Sequence, residues 1–137
     1  MIKELMHDPM FLSQKSVKAT SSDTDVIADL YDTLAHHRNE CIGMAANMIG
    51  VKKNIIIVNL GLTNMIMVNP VITSKKNPYT TSEGCLSLLG DPRPVVRFEE
   101  IEVTYQDSKF KSHKGTFKGL TAQIIQHEVD HCNGILI

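Results

Sequence analysis

The chain has 137 residues, enough for one domain that buries roughly two-thirds of the surface its unfolded form would expose. Its formal net charge of −1 provides no broad basic field, so direct nucleic-acid binding is not expected. No run approaches the ~20 apolar residues of a membrane span, and the segment from Met1 to Asp8 carries charges where a secretion signal would carry an apolar core.

The residues from Asp25 to Asn39 place Val26, Ile27, Leu30, Tyr31 and Leu34 at helical spacing behind Ser22 or Asp23 as a candidate cap, which predicts an amphipathic N-terminal helix. Asn54 to Leu60 and Met65 to Val68 are β-branched or apolar runs, and Gly61-Leu62-Thr63-Asn64 between them reads as a hairpin turn. Thr20 to Asp25 and the proline-containing Gly90 to Pro94 read as connections. Ile101 to Tyr105 alternates as a half-buried strand should, with a second hairpin strand from Phe110 to Phe117. Lys109, Lys111, Lys114 and Lys118 fall on that hairpin and read as a solvated face that discourages edge pairing. From Leu120 to Cys132 the helical pattern returns, with Thr121 as a cap and Asn133-Gly134 as a stop. This helix is apolar nearly all round, so it should be central and buried. A buried helix among antiparallel or mixed strands predicts an α+β fold, one domain over residues 1–137.

That last helix carries Gln126-His127-Glu128-Val129-Asp130-His131. Residues four apart share a helix face, so His127 and His131 can direct two imidazoles at one metal ion while Glu128 stands beside it as a base. Catalytic sites of this kind use three protein ligands and keep one position for water. The downstream His of one protease group is replaced by Ile137, and no acidic residue follows Asp130, so the third ligand must lie upstream. Cys85 stands out there, in Thr81-Ser82-Glu83-Gly84-Cys85-Leu86-Ser87, because a thiolate is a strong ligand and the flanking Gly allows close backbone approach.

Together with Cys41-Ile42-Gly43-Met44-Ala45-Ala46-Asn47-Met48-Ile49-Gly50, these segments form three motifs in an order that resembles the peptide deformylase family over nearly the whole chain. The resemblance implies a hydrolase that removes the formyl group from N-formylmethionyl peptides of nascent chains and releases formate. It implies Cys85, His127 and His131 as ligands of one divalent ion, most often ferrous iron, which zinc, nickel or cobalt can replace. With a thiolate and two neutral imidazoles the centre carries a charge of +1, which helps lower the pKa of bound water from 15.7 toward ~7. Glu128 would take the water proton and return it to the leaving amine. The backbone amide of Leu86 would stabilise the oxyanion, Gly43 would offer backbone hydrogen bonds to the extended peptide, and Ile124 would line the methionine pocket.

Two positions depart from the family pattern: Cys41 stands where Gly is usual and Met48 where Gln is usual. The family's Gln helps stabilise the oxyanion, and a thioether cannot donate a hydrogen bond. Loss of one such donor typically costs on the order of 100 to 1,000 fold in turnover. Asn47 is not an automatic substitute, since its side chain should point elsewhere. Met48 therefore leaves open a second expectation, a relative that binds metal and peptide N termini with little turnover. The three cysteines, Cys41, Cys85 and Cys132, contain no C-x-x-C pair and suit a reducing, cytoplasmic setting. Many family members continue beyond the metal helix into a segment that in some contacts the ribosome, whereas this sequence stops at Ile137, so a transient ribosome association is an expectation that the resemblance raises and the missing segment puts in doubt.

Overall fold

The computed structural model describes residues 1–85 and 88–137. Among the described residues three α-helices, α1 (Pro9–Leu12), α2 (Thr24–His36) and α3 (Gly119–Cys132), and two short 3-10 helices (Ser21–Asp23 and Ala46–Ile49) accompany five strands. These are β1 (Gly43–Ala45), β2 (Ile55–Asn59), β3 (Asn64–Cys85), β4 (Leu88–Gln106) and β5 (Ser112–Lys118), in one antiparallel sheet of order β1-β2-β3-β4-β5. The single domain of sheet plus helices matches the α+β expectation.

β2 explains the layering. Ile55, Ile56, Ile57 and Val58 are all fully buried, although successive side chains of a strand point to opposite faces. Ile55 and Ile57 pack with Leu30 and Leu34 of α2 and with Met44, Met48 and Val68. Ile56 and Val58 pack on the other face with Ala122 and Ile125 of α3 and with Met67 and Val103. A continuous apolar strand is thus the mark of a layer covered on both sides, and each of these side chains contributes about 1.5–3 kcal/mol on burial.

In α2 the buried positions are Ile27, Leu30, Thr33 and Leu34, whereas Tyr31 is exposed because its side chain lies at the outer edge of the stripe. Asp23 occupies the cap position, yet its carboxylate accepts from the Thr20 amide at 2.8 Å instead of from the helix. The cap expected at Thr121 is not there either: β5 runs directly into α3, Lys118 is the N-cap and Gly119, with φ +61, makes the corner. The expected stop is present. The Gly134 amide donates to His131 O at 3.0 Å and the Ile135 amide to Asp130 O at 2.9 Å, the reciprocal pattern that closes a helix through a left-handed glycine.

Gly90 to Pro94, expected as a connection, lies within β4, with Arg93 opposite Glu83 and Pro94 opposite Ser82. β5 reaches only Glu100 to Gln106 of that strand, so among the described residues no strand pairs on that side of the earlier ones, and proline's missing N–H breaks no ladder there. The lysine-bearing hairpin is a paired surface: Lys114 reaches Glu102 at 3.0 Å and Lys118 reaches Glu100 at 3.2 Å.

A β-carbon at Gly134 would lie 2.4 Å from Ser13 O, and φ there is +75. The Gly134→Ala protein should therefore lose about 1–3 kcal/mol of stability. Thermal unfolding followed by circular dichroism checks this, and an unchanged midpoint contradicts it.

Candidate metal centre

β3 ends at Cys85 and α3 crosses beneath it, which sets one thiol against two imidazoles. The ligand atoms of Cys85, His127 and His131 all lie within 4.8 Å of one another, and the two rings meet edge to face with centroids 4.5 Å apart. Both histidines are buried, and they lie one helical turn apart as their spacing requires. Cys132, on the same helix, points into the core instead.

The electrostatics favour an ionised sulfur. Burial alone would raise the Cys85 thiol, but hydrogen bonds to His127 and His131 outweigh it and bring the thiol down to about 6. Burial disfavours the charged form of His127 as well, yet the contact with Cys85 and the nearby Glu128 and Glu83 carboxylates raise it to about 9. His131 is likewise raised well above its ordinary value: burial works against its charge, and Glu128 and Cys85 overcome that. One sulfur and two nitrogens in a buried pocket beside a carboxylate form a donor set that suits a divalent cation such as iron or zinc.

Behind the ligands stands a network that sequence reasoning missed. Glu83 Oε1 lies 2.7 Å from His127 Nδ1, a contact that orients the ring and leaves Nε2 available to a cation. Arg97 grips Glu83 through Nη2 at 2.7 Å and Asp130 through Nη1 at 2.7 Å, and Gln123 Nε2 donates to Glu83 Oε2 at 2.8 Å. Burial opposes the Glu83 charge, but the His127, Arg97 and Gln123 hydrogen bonds hold its carboxyl at about 2. Glu83 and Asp130 sit inside the two motifs, so their neighbourhood was visible; Arg97 carries no motif signal. Gln126 clamps β4 by accepting from the Phe98 amide and donating to the Phe98 carbonyl, both at 2.8 Å. Asn47 donates to His131 O at 2.9 Å, so its amide supports the helix end, in keeping with the expectation that it does not replace Gln.

Glu128 is buried, with Oε1 2.9 Å from His131 Nδ1, while His131 Nε2 lies 3.2 Å from Ile137 O. Its Oε2 lies against β1, for a β-carbon at Gly43 would stand 3.0 Å from that oxygen and 2.7 Å from Ile124 Cγ2. Glycine at 43 is what lets the strand approach the helix. A cleft of about 430 Å³ opens above this point, and Gly43, Met48, Ile124, Cys85, His127 and Glu128 all line it. Gly43 and Ile124, expected to contact the peptide, and Met48, which stands at the family's Gln position, thus share one cleft with two ligand candidates and the candidate base. Leu86, expected to supply an oxyanion donor, lies outside the described residues.

A half-buried thiol and two buried imidazoles next to a carboxylate, reached from a peptide-sized cleft, make the donor set of a metal-dependent hydrolase. The family profile of polypeptide deformylase matches residues 2–137. A peptide deformylase from Clostridium beijerinckii is 53% identical over 137 residues, covering 100% of both chains. A crystal structure of a peptide deformylase from Legionella pneumophila superposes with a TM-score of 0.90 at 32% identity, covering 99% of this chain and 83% of that one. A class I type b peptide deformylase from Acinetobacter baumannii, solved bound to Met-Ala-Ser, gives 0.88 at 26% identity over 99% of this chain and 96% of that one. The chain belongs to the polypeptide deformylase family, and it is a metal-dependent hydrolase that removes formyl groups from polypeptides.

Replacing Arg97 by Met strips the buried Glu83 carboxylate of its cation and should destabilise the fold by about 3–5 kcal/mol. Urea unfolding measures this; a loss below about 1 kcal/mol would show that His127 and Gln123 satisfy Glu83 unaided.

Proposed function

We propose that Cys85, His127 and His131 hold one ferrous ion at the floor of the cleft and that the enzyme deformylates N-formylmethionyl chains as they are made. The observation that carries this is the convergence of the three donor atoms within 4.8 Å beside the buried Glu128. When bound, the ion supplies Lewis acidity that makes water nucleophilic near neutral pH, and zinc, nickel or cobalt would do so with the same ligands.

Every remaining task falls to side chains and backbone. Glu128, at the floor of the cleft, takes the water proton and later delivers it to the departing amine. Glu83 orients His127, and Arg97 orients Glu83. The open edge of β1 at Gly43 receives the extended peptide as an added strand, the mode that gives affinity through main-chain hydrogen bonds. Ile124 and the exposed Leu120 at the rim supply apolar surface for the methionine side chain. The Leu86 amide is assigned to the oxyanion on the family resemblance. Formylmethionyl chains occur where translation starts with formylmethionine, so a cytoplasmic location and a transient encounter with the ribosome belong to this reading, as does a single functional domain over residues 1–137. No helix among the described residues is long and apolar enough to cross a membrane.

Iron-loaded protein handled without oxygen should release formate from formyl-Met-Ala-Ser. Cys85→Ala should lose both metal and activity, whereas Glu128→Gln should keep stoichiometric metal and lose at least about 100-fold in kcat. Formate release no faster than that of the Cys85→Ala control would end the proposal. Glu83→Gln should weaken metal binding by about 10- to 100-fold in chelator competition. Unchanged affinity would show that the Glu83 contact does not tune His127.

A further inference from the structure

Both departures from the family's first motif end on the same strand edge. Ile42 O accepts from the Asn59 amide at 2.9 Å, and Gly43, Met44 and Ala45 stand opposite Val58, Ile57 and Ile56. In an antiparallel ladder the residues that exchange hydrogen bonds alternate, so Ile42 and Met44 bond toward β2. Gly43 and Ala45 therefore turn their N–H and C=O groups away from β2. β1 is the first strand of the sheet, and on that side Gly43 lines the cleft while Ala45 is buried.

Two sulfurs meet those groups. The Cys41 thiol donates to Gly43 O at 2.7 Å, and Met48 Sδ accepts from the Ala45 amide at 3.5 Å. A glycine at 41 could make no such bond, and a thioether at 48 can only accept. Each sulfur is matched to the polarity of the group it covers: the donor on the carbonyl, the acceptor on the amide. Cys41 is half-buried in the cleft wall, while Met48 is fully buried beneath it.

We propose that Cys41 and Met48 cap the open edge of β1 and that the Cys41 cap competes with an incoming formylated peptide for the Gly43 carbonyl, making Cys41 a positioning residue that sets peptide affinity. The proposal rests on the deformylase reading for its ligand. A peptide laid along this edge as an added strand needs an acceptor for its own N–H, and Gly43 O is the carbonyl turned toward it. The thiol must leave before the peptide bonds. A thiol is a weak donor, so a peptide N–H wins the exchange, but with affinity reduced by the strength of the bond it breaks. Met48, buried under the strand, has no reason to leave; it keeps Ala45 N–H satisfied with or without peptide.

The test uses metal-loaded Cys41→Ala, Cys41→Gly and Cys41→Ser proteins. KM for formyl-Met-Ala-Ser should fall roughly two- to fivefold in the Ala and Gly variants, a larger change than any in kcat. The Ser variant, whose hydroxyl is the stronger donor to Gly43 O, should keep a KM at or above that of wild type. A KM that is unchanged or higher in both Ala and Gly, or one that falls in the Ser variant as far as in Ala, overturns the proposal. Calorimetric affinity for the product Met-Ala-Ser gives a reading that needs no turnover. Should no protein release formate, the deformylase reading fails, while tighter product binding by Ala and Gly would still support the cap and equal binding would refute it.

Discussion

The structure depends on one buried carboxylate. Glu83 lies near the end of β3, and three groups from elsewhere in the chain close on it: Arg97 from β4, and His127 and Gln123 from α3. These bonds tie the tip of a long hairpin to a helix, and they fix the position of Cys85 two residues further on. A carboxylate taken out of water is unfavourable until such partners surround it, and once surrounded it admits few other arrangements. The sulfur is therefore brought to the imidazoles by the same contact that orients one of those imidazoles. Asp130, on the helix face beyond, balances the second arm of Arg97 and locks the helix in rotation.

The other half of the site is set by absence of bulk. β1 can lie against α3 only because position 43 lacks a side chain, and that contact delivers Glu128 to the cleft floor beneath an open strand edge. The layering that makes this possible comes from β2, whose unbroken run of apolar residues accepts α2 on one face and α3 on the other. Both helices can then be buried without competing for one surface.

The parts legible in the sequence are those governed by short periods. α2, β2, α3 and its glycine stop follow from residues whose spacing repeats within a turn or two. The two candidate ligand histidines share that helix period, and Cys85 stood out through its glycine and its motif. What was hidden depends on partners distant in sequence. The reach of β3 and β4 past their prolines is decided by register, with bulges near Val71, Ser74 and Cys85, and by where β5 stops pairing with β4, which no local pattern announces. The Thr121 cap failed because a strand enters α3 without a loop, so the corner falls to Gly119. Arg97 was invisible because an arginine in a strand reads as surface until a buried carboxylate is found opposite it.

The charge distribution around α3 ties these elements to the chemistry. Glu83 and Asp130 share one guanidinium, the buried Glu128 lies against His131, and a thiol held at about 6 adds a further negative group. A low-dielectric interior tolerates such an excess only if positive charge is shared into it. The imidazoles respond in that direction, with His127 raised to about 9. A divalent cation held as proposed by the sulfur and both rings would answer the same excess more compactly and would leave Glu128 to its proposed role as base. Charge surplus and donor geometry thus point to the same occupant, and the carboxylates that Arg97 gathers both build the fold at this corner and make the corner attractive to a metal.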